Sequence, residues 1–240
     1  MSPTRVVYKV SGESLSSARG GMYSHMADEN FHFVAAEISS ILDAGYEVLV
    51  VVGGGNLYRG AERGRGRLDR ADADKIGMLA TAMNALQLAA NLDEAGHPAR
   101  VMTRGAASGV DTLWSARDAR AVLEQGRPIV IAGGLGVPFM SSDYPALHHA
   151  AEVDATAVLI AKHGIDGVYD ADPKREPTAR KFDELTCTEI IRQDLAVMDL
   201  AAVDLARRFG IEMHIFAADA EGAGLKALKG DHVGTVVHPR

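Results

Sequence analysis

The chain has 240 residues, 47% of them hydrophobic, with a formal net charge of -7 and a pI near 5.7. That length and apolar content suffice for one sizeable domain with a real core, while the acidic balance argues against a dedicated nucleic-acid binder or a basic membrane-surface protein. The single cysteine, Cys187, cannot form an internal disulfide or a metal cluster, no apolar run reaches the ~18 to 20 residues of a membrane span, and the N-terminus does not read as a signal peptide, so a cytoplasmic protein with no membrane or nucleic-acid partner is expected.

Apolar strands alternate with amphipathic stretches, the pattern of a three-layer α/β sandwich with a mainly parallel central sheet. Val6 to Val10 reads as the first strand. Asp28 or Asn30 can cap a helix in which Phe31, Val34, Ala35, Ile38, Ile41 and Leu42 recur at helical spacing, with Gly45 ending it. Glu47 to Val52 is the second strand and runs into Gly53-Gly54-Gly55. An Ala/Met/Leu-rich helix follows over about Asp72 to Glu94. Strands are predicted at Ala99 to Thr103, Pro128 to Ala132 and Ala155 to Ala161, with helices near Ser115 to Gln125 and Asp143 to Ala151. After Ile165, Asp166 to Pro173 carries turn chemistry and reads as a short hairpin or loop. Helices at Thr188 to Gln193 and Leu200 to Phe209, a strand at Glu212 to Ala217 and a last strand at Gly234 to His238 complete the chain, with no linker or repeat.

Four places at strand ends carry residues suited to anions. Lys9 lies in an apolar strand, where an unpaired ammonium is costly, so it either snorkels to the surface or serves a ligand. Gly53, Gly54 and Gly55 followed by Arg59 present bare backbone N–H groups and then a planar fork of donors. Gly133-Gly134-Leu135-Gly136 repeats the device after another strand, and two such turns on one sheet edge favour a phosphate cradle over ordinary strand-closing turns. Tyr169 and Asp172 can line a base and take a ribose hydroxyl or act through Mg2+, although Asp172 before Pro173 also reads as a plain turn. Asp74 reads equally as a solvated helix residue, and Arg63, Arg65, Arg67 and Arg70 as anion contacts or a solvated run. There is no G-x-x-x-x-G-K-[ST] loop, no dinucleotide fingerprint, no metal-site spacing of histidines and no nucleophile elbow, which leaves phosphoryl transfer or anion binding.

Lys9-Val10-Ser11-Gly12-Glu13, Gly53-Gly54-Gly55-Asn56-Leu57-Tyr58-Arg59-Gly60, Asp69 through Thr81, Asp166-Gly167-Val168-Tyr169-Asp170-Ala171-Asp172-Pro173 and Val197-Met198-Asp199-Leu200-Ala201-Ala202 together resemble the bacterial uridylate (UMP) kinases of the amino-acid kinase superfamily, in order and spacing over almost the entire chain. The resemblance implies one amino-acid-kinase domain, with an acceptor lobe of roughly residues 1–152 and an ATP lobe of roughly 153–240. It implies transfer of the γ-phosphate of ATP to UMP with Mg2+, in a homohexamer. Lys9, Ser11 and Gly12 would hold the ATP phosphates, with Gly55 and Arg59 across the cleft; Lys9 and Arg59 would be catalytic. Gly54 and Asp74 would contact UMP, the segment Leu135, Gly136, Val137, Pro138, Phe139, Met140, Ser141 and Ser142 would wrap the acceptor, and Tyr169, Asp172 and His163 would hold the adenosine end. No protein metal site is implied.

Two stretches depart from that pattern. Where the family carries Gly-Thr-Gly-Asn-Pro-Phe-Phe-Thr-Thr-Asp, this chain reads Gly134-Leu135-Gly136-Val137-Pro138-Phe139-Met140-Ser141-Ser142-Asp143, which removes two polar groups from the acceptor loop and keeps the Ser142 hydroxyl. Where the family carries Lys-Ala-Thr-Lys, this chain reads Ala161-Lys162-His163-Gly164. Both lysines are missing, and Lys162, one residue along and on the opposite strand face, is expected to take over only through a bulge. With these departures the expected reaction is ATP-dependent phosphoryl transfer to UMP or a related pyrimidine nucleotide, giving the diphosphate, and they leave open a paralogue acting on another small phosphate- or phosphonate-bearing acceptor, or a non-catalytic nucleotide- or oxyanion-binding oligomer.

Overall fold

The structure, a computed structural model, describes residues 4–17, 25–59, 68–105, 107, 109–110, 112–195 and 198–240. In chain order the elements are β1 (Arg5–Val10), α1 (Asp28–Asp43), β2 (Glu47–Val52), α2 (Arg70–Glu94), β3 (Arg100–Thr103), α3 (Ala116–Leu123), β4 (Ile129–Ala132), α4 (Asp143–Glu152), β5 (Ala157–Lys162), β6 (Val168–Tyr169), β7 (Lys181–Phe182), β8 (Glu184–Thr186), α5 (Cys187–Gln193), α6 (Leu200–Phe209), β9 (Glu212–Ala217), α7 (Ala223–Leu228) and β10 (Thr235–His238). A 3-10 turn at Gly12–Leu15 follows β1. Gly60, Arg63, Arg65 and Arg67 fall outside the described residues. Among the described residues no helix is long and apolar enough to cross a membrane.

Eight strands form one sheet in the order β3-β4-β2-β1-β5-β9-β10-β8, parallel except where β10 meets β9. Residue alternation divides the core in two. Val7, Leu49, Val51, Ile129, Ile131, Val158 and Ile160 face α3, α4, α5 and α6, whereas Val6, Tyr8, Val48, Val50, Val130 and Leu159 face α1, α2 and α7. Each apolar face needs its own helical cover, and a three-layer sandwich is the result.

Local chemistry sets the boundaries. The Asp69 side chain accepts the Ala71 N–H, so α2 begins two residues before the predicted start, and Ser115 caps α3. Asp28 is the first residue of α1 rather than its cap, and Asn30 instead donates to the Ser16 carbonyl. The hairpin read near Asp166 to Pro173 exists as β6, but its partner β7 stands more than ten residues later at Lys181 and Phe182.

β1 lies at the middle of the sheet. The chain leaves it for β2 on one side and returns through α4 to β5 on the other. The carboxyl ends of β1, β2, β4 and β5 therefore converge at a change in strand order, where sheets of this kind present their ligand sites.

Candidate active site

Lys9 is buried at 4% exposure, on the face of β1 that it shares with Val7. Its ammonium lies 2.9 Å from one oxygen of Asp143, the first residue of α4, and the ammonium of Lys162 lies 2.9 Å from the other oxygen. β5 needs no bulge for this. Lys162 stays in ladder register with Ala217, and alternation puts it on the face of Ile160 and Lys9 while Ala161 packs into the opposite core. The expectation that Lys162 would require a bulge is thus corrected, because its own face is the one that carries the charge cluster. Burial works to raise the Asp143 carboxyl, but the charges and hydrogen bonds of Lys9 and Lys162 prevail and hold it at about 2. Burial lowers the pKa of Lys162, with Asp143 opposing. Two cations on one buried anion leave a net positive charge where the strands end.

The glycines around this cluster are required by close backbone contact. A Cβ on Gly12 would stand 2.5 Å from the Gly55 nitrogen, and one on Gly54 would stand 2.7 Å from the Gly77 carbonyl oxygen of α2. Buried Asn84 of α2 fixes the turn after β2, donating to the Gly53 carbonyl at 2.8 Å and to Asn56 at 2.7 Å. The turn after β4 is held similarly, its Gly133 N–H donating to the Thr81 hydroxyl at 2.7 Å. Gly133, Gly134 and Gly136 all have positive φ. Arg59 reaches back to Glu13, with 2.6 Å between Nη2 and Oε1.

A cavity of about 560 Å3 joins the glycine turns and the acceptor loop; Ser11, Gly12, Gly53, Gly54, Gly55, Arg59, Asp74, Leu135, Val137, Phe139, Ser141 and Ser142 all stand on its wall, whereas Lys9 and Asp143 lie behind it without lining it. Asp74 pairs through both oxygens with Arg70 and also accepts the Phe139 N–H at 2.9 Å, so α2 holds the tip of the acceptor segment, where Phe139 has a φ of 68°. Gly136 and Pro138 belong to the same loop without lining the cavity. Beyond the 3-10 turn a second cavity of about 490 Å3 is bordered by Ser14, Ser16, Lys162, His163 and Gly164.

Tyr169 and Asp172 line neither cavity. The Tyr169 hydroxyl donates to Asp166 at 2.6 Å, and Asp172 accepts the Lys174 N–H at 3.0 Å within its own turn. Sequence reasoning singled out Lys9 and the glycines but missed Asp143 as their organiser, along with Thr81, Asn84 and Asp199. Asn84 had a signal, an amide set among alanines and leucines at the inward-facing spacing of the helix. Asp143 had none until the register of β1 and β5 was known.

Residues 4–217 match the family model described as Amino acid kinase family. The uridylate kinase of Frankia alni is 43% identical over 235 residues, covering 97% of this chain and 90% of that protein. The uridylate kinase of Streptomyces avermitilis is 40% identical over 233 residues, covering 97% and 91%. The crystal structure of UMP kinase from Bacillus anthracis superposes with a TM-score of 0.92 at 36% identity, covering 99% of this chain and 97% of that one. The chain belongs to the amino acid kinase family, in its uridylate kinase branch.

Proposed function

We propose that the protein transfers the γ-phosphoryl group of ATP to UMP, giving ADP and UDP. The observation that carries this reading is the Lys9–Asp143–Lys162 cluster between two glycine turns. In-line transfer between two anions calls for positioning and for positive charge at the migrating group rather than a protein nucleophile. Lys9 and Lys162 supply the charge, and the backbone N–H groups of Ser11, Gly12, Gly54 and Gly55 supply donors, the Gly53 N–H being held by the Val10 carbonyl at 2.9 Å. Arg59 exchanges Glu13 for phosphate oxygens.

Asp74, Leu135, Val137, Phe139, Ser141 and Ser142 hold UMP in the first cavity, with Gly136 and Pro138 shaping their loop. The nucleoside end of ATP passes beyond the 3-10 turn, where His163 borders the second cavity. Tyr169 and Asp172 reach it only if their segment moves. Glu13 and Asp199 on the cavity wall offer carboxylate oxygens of the kind that would hold a Mg2+ ion brought by ATP. Such an ion would offset phosphate charge.

We read the chain as one domain with an acceptor lobe of about residues 1–152 and an ATP lobe of about 153–240, which fits a first cavity walled, Asp199 apart, by residues of the first stretch. We also read it as a cytoplasmic homo-oligomer, a hexamer by family resemblance. An exposed stripe of Ile76, Leu79, Met83 and Leu86 on α2 supports self-association. The test of function is ADP release by the purified protein with Mg-ATP, comparing UMP with CMP, dUMP, simple phosphonates and no acceptor. Release that depends on UMP is expected; silence with UMP, or release only with another acceptor, overturns the reading.

A further inference from the structure

The first cavity has walls of two kinds. One is polar. Ser141 and Ser142 stand on it just before Asp143, whose carboxylate holds Lys9 and Lys162, and the Ser142 side chain makes no cap to α4. Glu13, Tyr58 and Arg59 join it at the turn after β2, where the Tyr58 N–H donates to the Gly54 carbonyl at 2.9 Å and Arg59 pairs with Glu13. The other wall lies along the loop after β4, whose tip is tied to Asp74 through the Phe139 N–H. Met78, Leu135, Val137, Phe139 and Met140 stand on it, and Val137, Phe139 and Met140 are 48%, 64% and 46% exposed.

Water against such side chains is unfavourable, and a flat heterocycle laid over them displaces it. The contact does not read the edge of that heterocycle. Uracil presents an N3–H donor beside the O4 acceptor, and cytosine an N3 acceptor beside the N4 amino donor, on rings of the same outline. Telling them apart takes a fixed hydroxyl, amide or charge, and the side chains of Leu135 and Val137 are hydrocarbon. Neighbouring polar groups are already engaged. The Thr81 hydroxyl donates to the Met78 carbonyl and accepts the Gly133 N–H, both at 2.7 Å. The Gly136 N–H is held by the Gly133 carbonyl at 2.9 Å and the Phe139 N–H by Asp74. Arg70 spends its Nε on the two oxygens of Asp74, with its guanidinium 5.8 Å from the centre of the Phe139 ring, and its remaining donors suit the O2 carbonyl that both bases share.

We infer that this pocket accepts pyrimidine nucleoside monophosphates without reading the hydrogen-bonding edge of the base, so that CMP is converted to CDP as readily as UMP to UDP. The inference rests on the reading of the cavity as the acceptor site of a UMP kinase and gives that site a second substrate. The reaction is the same for both. An oxygen of the acceptor phosphate bonds to the γ-phosphorus of ATP, the bond from that phosphorus to the β,γ-bridging oxygen breaks, and the electron pair leaves on ADP. Selection falls to the groups that hold phosphate and ribose, which the two nucleotides have in common.

The experiment measures kcat/KM for UMP and for CMP by ADP release at saturating Mg-ATP, in the wild type, in Leu135→Ala and in Leu135→Thr combined with Val137→Asn. A site that hydrogen-bonds a base edge rejects the wrong partner by about 10⁴- to 10⁵-fold, whereas an apolar surface separates isosteres weakly. The wild-type values are therefore expected to lie within about 10-fold of each other. Leu135→Ala should lower both by a common factor of about 10, the effect of lost apolar contact, and leave their ratio unchanged. The double variant places a hydroxyl and an amide on the wall and should move the ratio by at least about 10-fold.

A wild-type ratio beyond about 10-fold in either direction overturns the inference, and where UMP is the favoured substrate the functional reading stands. A ratio that shifts in Leu135→Ala, or one that stays put in the folded double variant, overturns it as well. If neither nucleotide is phosphorylated, calorimetric titration of the wild type with UMP and with CMP, without ATP, reads the pocket by itself. Matching affinities would sink the functional reading and uphold a pocket blind to the base edge; unlike affinities, or no binding of either, would overturn that pocket too. If the double variant fails to fold, the wild-type and Leu135→Ala ratios decide.

Discussion

Asp143 carries two ammonium groups on one buried carboxylate, and its worth depends on being charged. Its pKa in the folded protein lies below the ordinary carboxylate value, so the stability it contributes is fully present above pH ~4 and is lost as pH falls toward about 2. Urea midpoints measured through this window should drop for the wild type, with an Asp143 share of roughly 2 to 3 kcal/mol. Asp143→Asn should flatten much of that slope and cost about 3 to 5 kcal/mol at neutral pH, because two buried cations would face an amide. Lys9→Ala is milder for the fold, since Lys162 still pairs with Asp143. Its effect belongs to the chemistry: turnover should fall at least about 10²- to 10³-fold with the melting temperature nearly unchanged, and retained ADP release would remove Lys9 from the catalytic role.

At the scale of elements, the site is an encounter of turns whose backbones touch. Gly12→Ala would drive a Cβ into the Gly55 nitrogen and the Gly53 carbonyl. A displacement of about 1 Å at reacting groups costs roughly 10²-fold, so turnover should fall by that order while the sheet holds; kinetics set beside a melting curve separates the two effects. The acceptor loop has more freedom, with Val137 about half exposed. Leu135→Thr combined with Val137→Asn is expected to raise kcat/KM for UMP up to about 10-fold, and no gain would dissociate those positions from base reading. Periodicity made most of these elements legible. Glu47 to Val52, Leu200 to Phe209 and Glu212 to Ala217 occur with the predicted limits. β7, β8 and α7 leave no pattern in the sequence, since two or three residues carry no period and Ala223 to Leu228 is a single turn and a half between Gly222 and Gly230. Lys9 and the glycine turns were visible because a charge in an apolar strand and repeated glycines are local signals. The pairing of Lys9 with Lys162 depends on which residues of β1 and β5 lie abreast, a property of the sheet that local pattern does not hold.

For the whole molecule, α2 is the element with two allegiances. Its inner face carries Thr81, Asn84 and Leu88 toward the glycine turns and the core, and its outer face leaves Leu79 and Met83 more than half exposed. Apolar residues at this spacing on an outer helix face suit contact with a second copy. Sedimentation should therefore show an assembly larger than the monomer, and Leu79→Glu with Met83→Glu should shift it to smaller species. Loss of activity in that variant would follow from disturbance of α2, which also carries Asp74.

β1 and β5 are hydrogen-bonded neighbours over five residue pairs, Val6 with Ala157 through Val10 with Ala161. This seam joins the two halves of the chain directly beneath the Lys9–Asp143–Lys162 cluster. A hinge opening there would break the ladder and part Lys162 from Lys9 and Asp143, so a clamshell motion of the two halves would be costly. Admission of substrates and escape of products are expected at the rim instead, at the acceptor loop around Phe139 and the stretch beyond Lys162. A turnover rate limited by rearrangement of these loops, over a sheet held together by that seam, is the expected consequence.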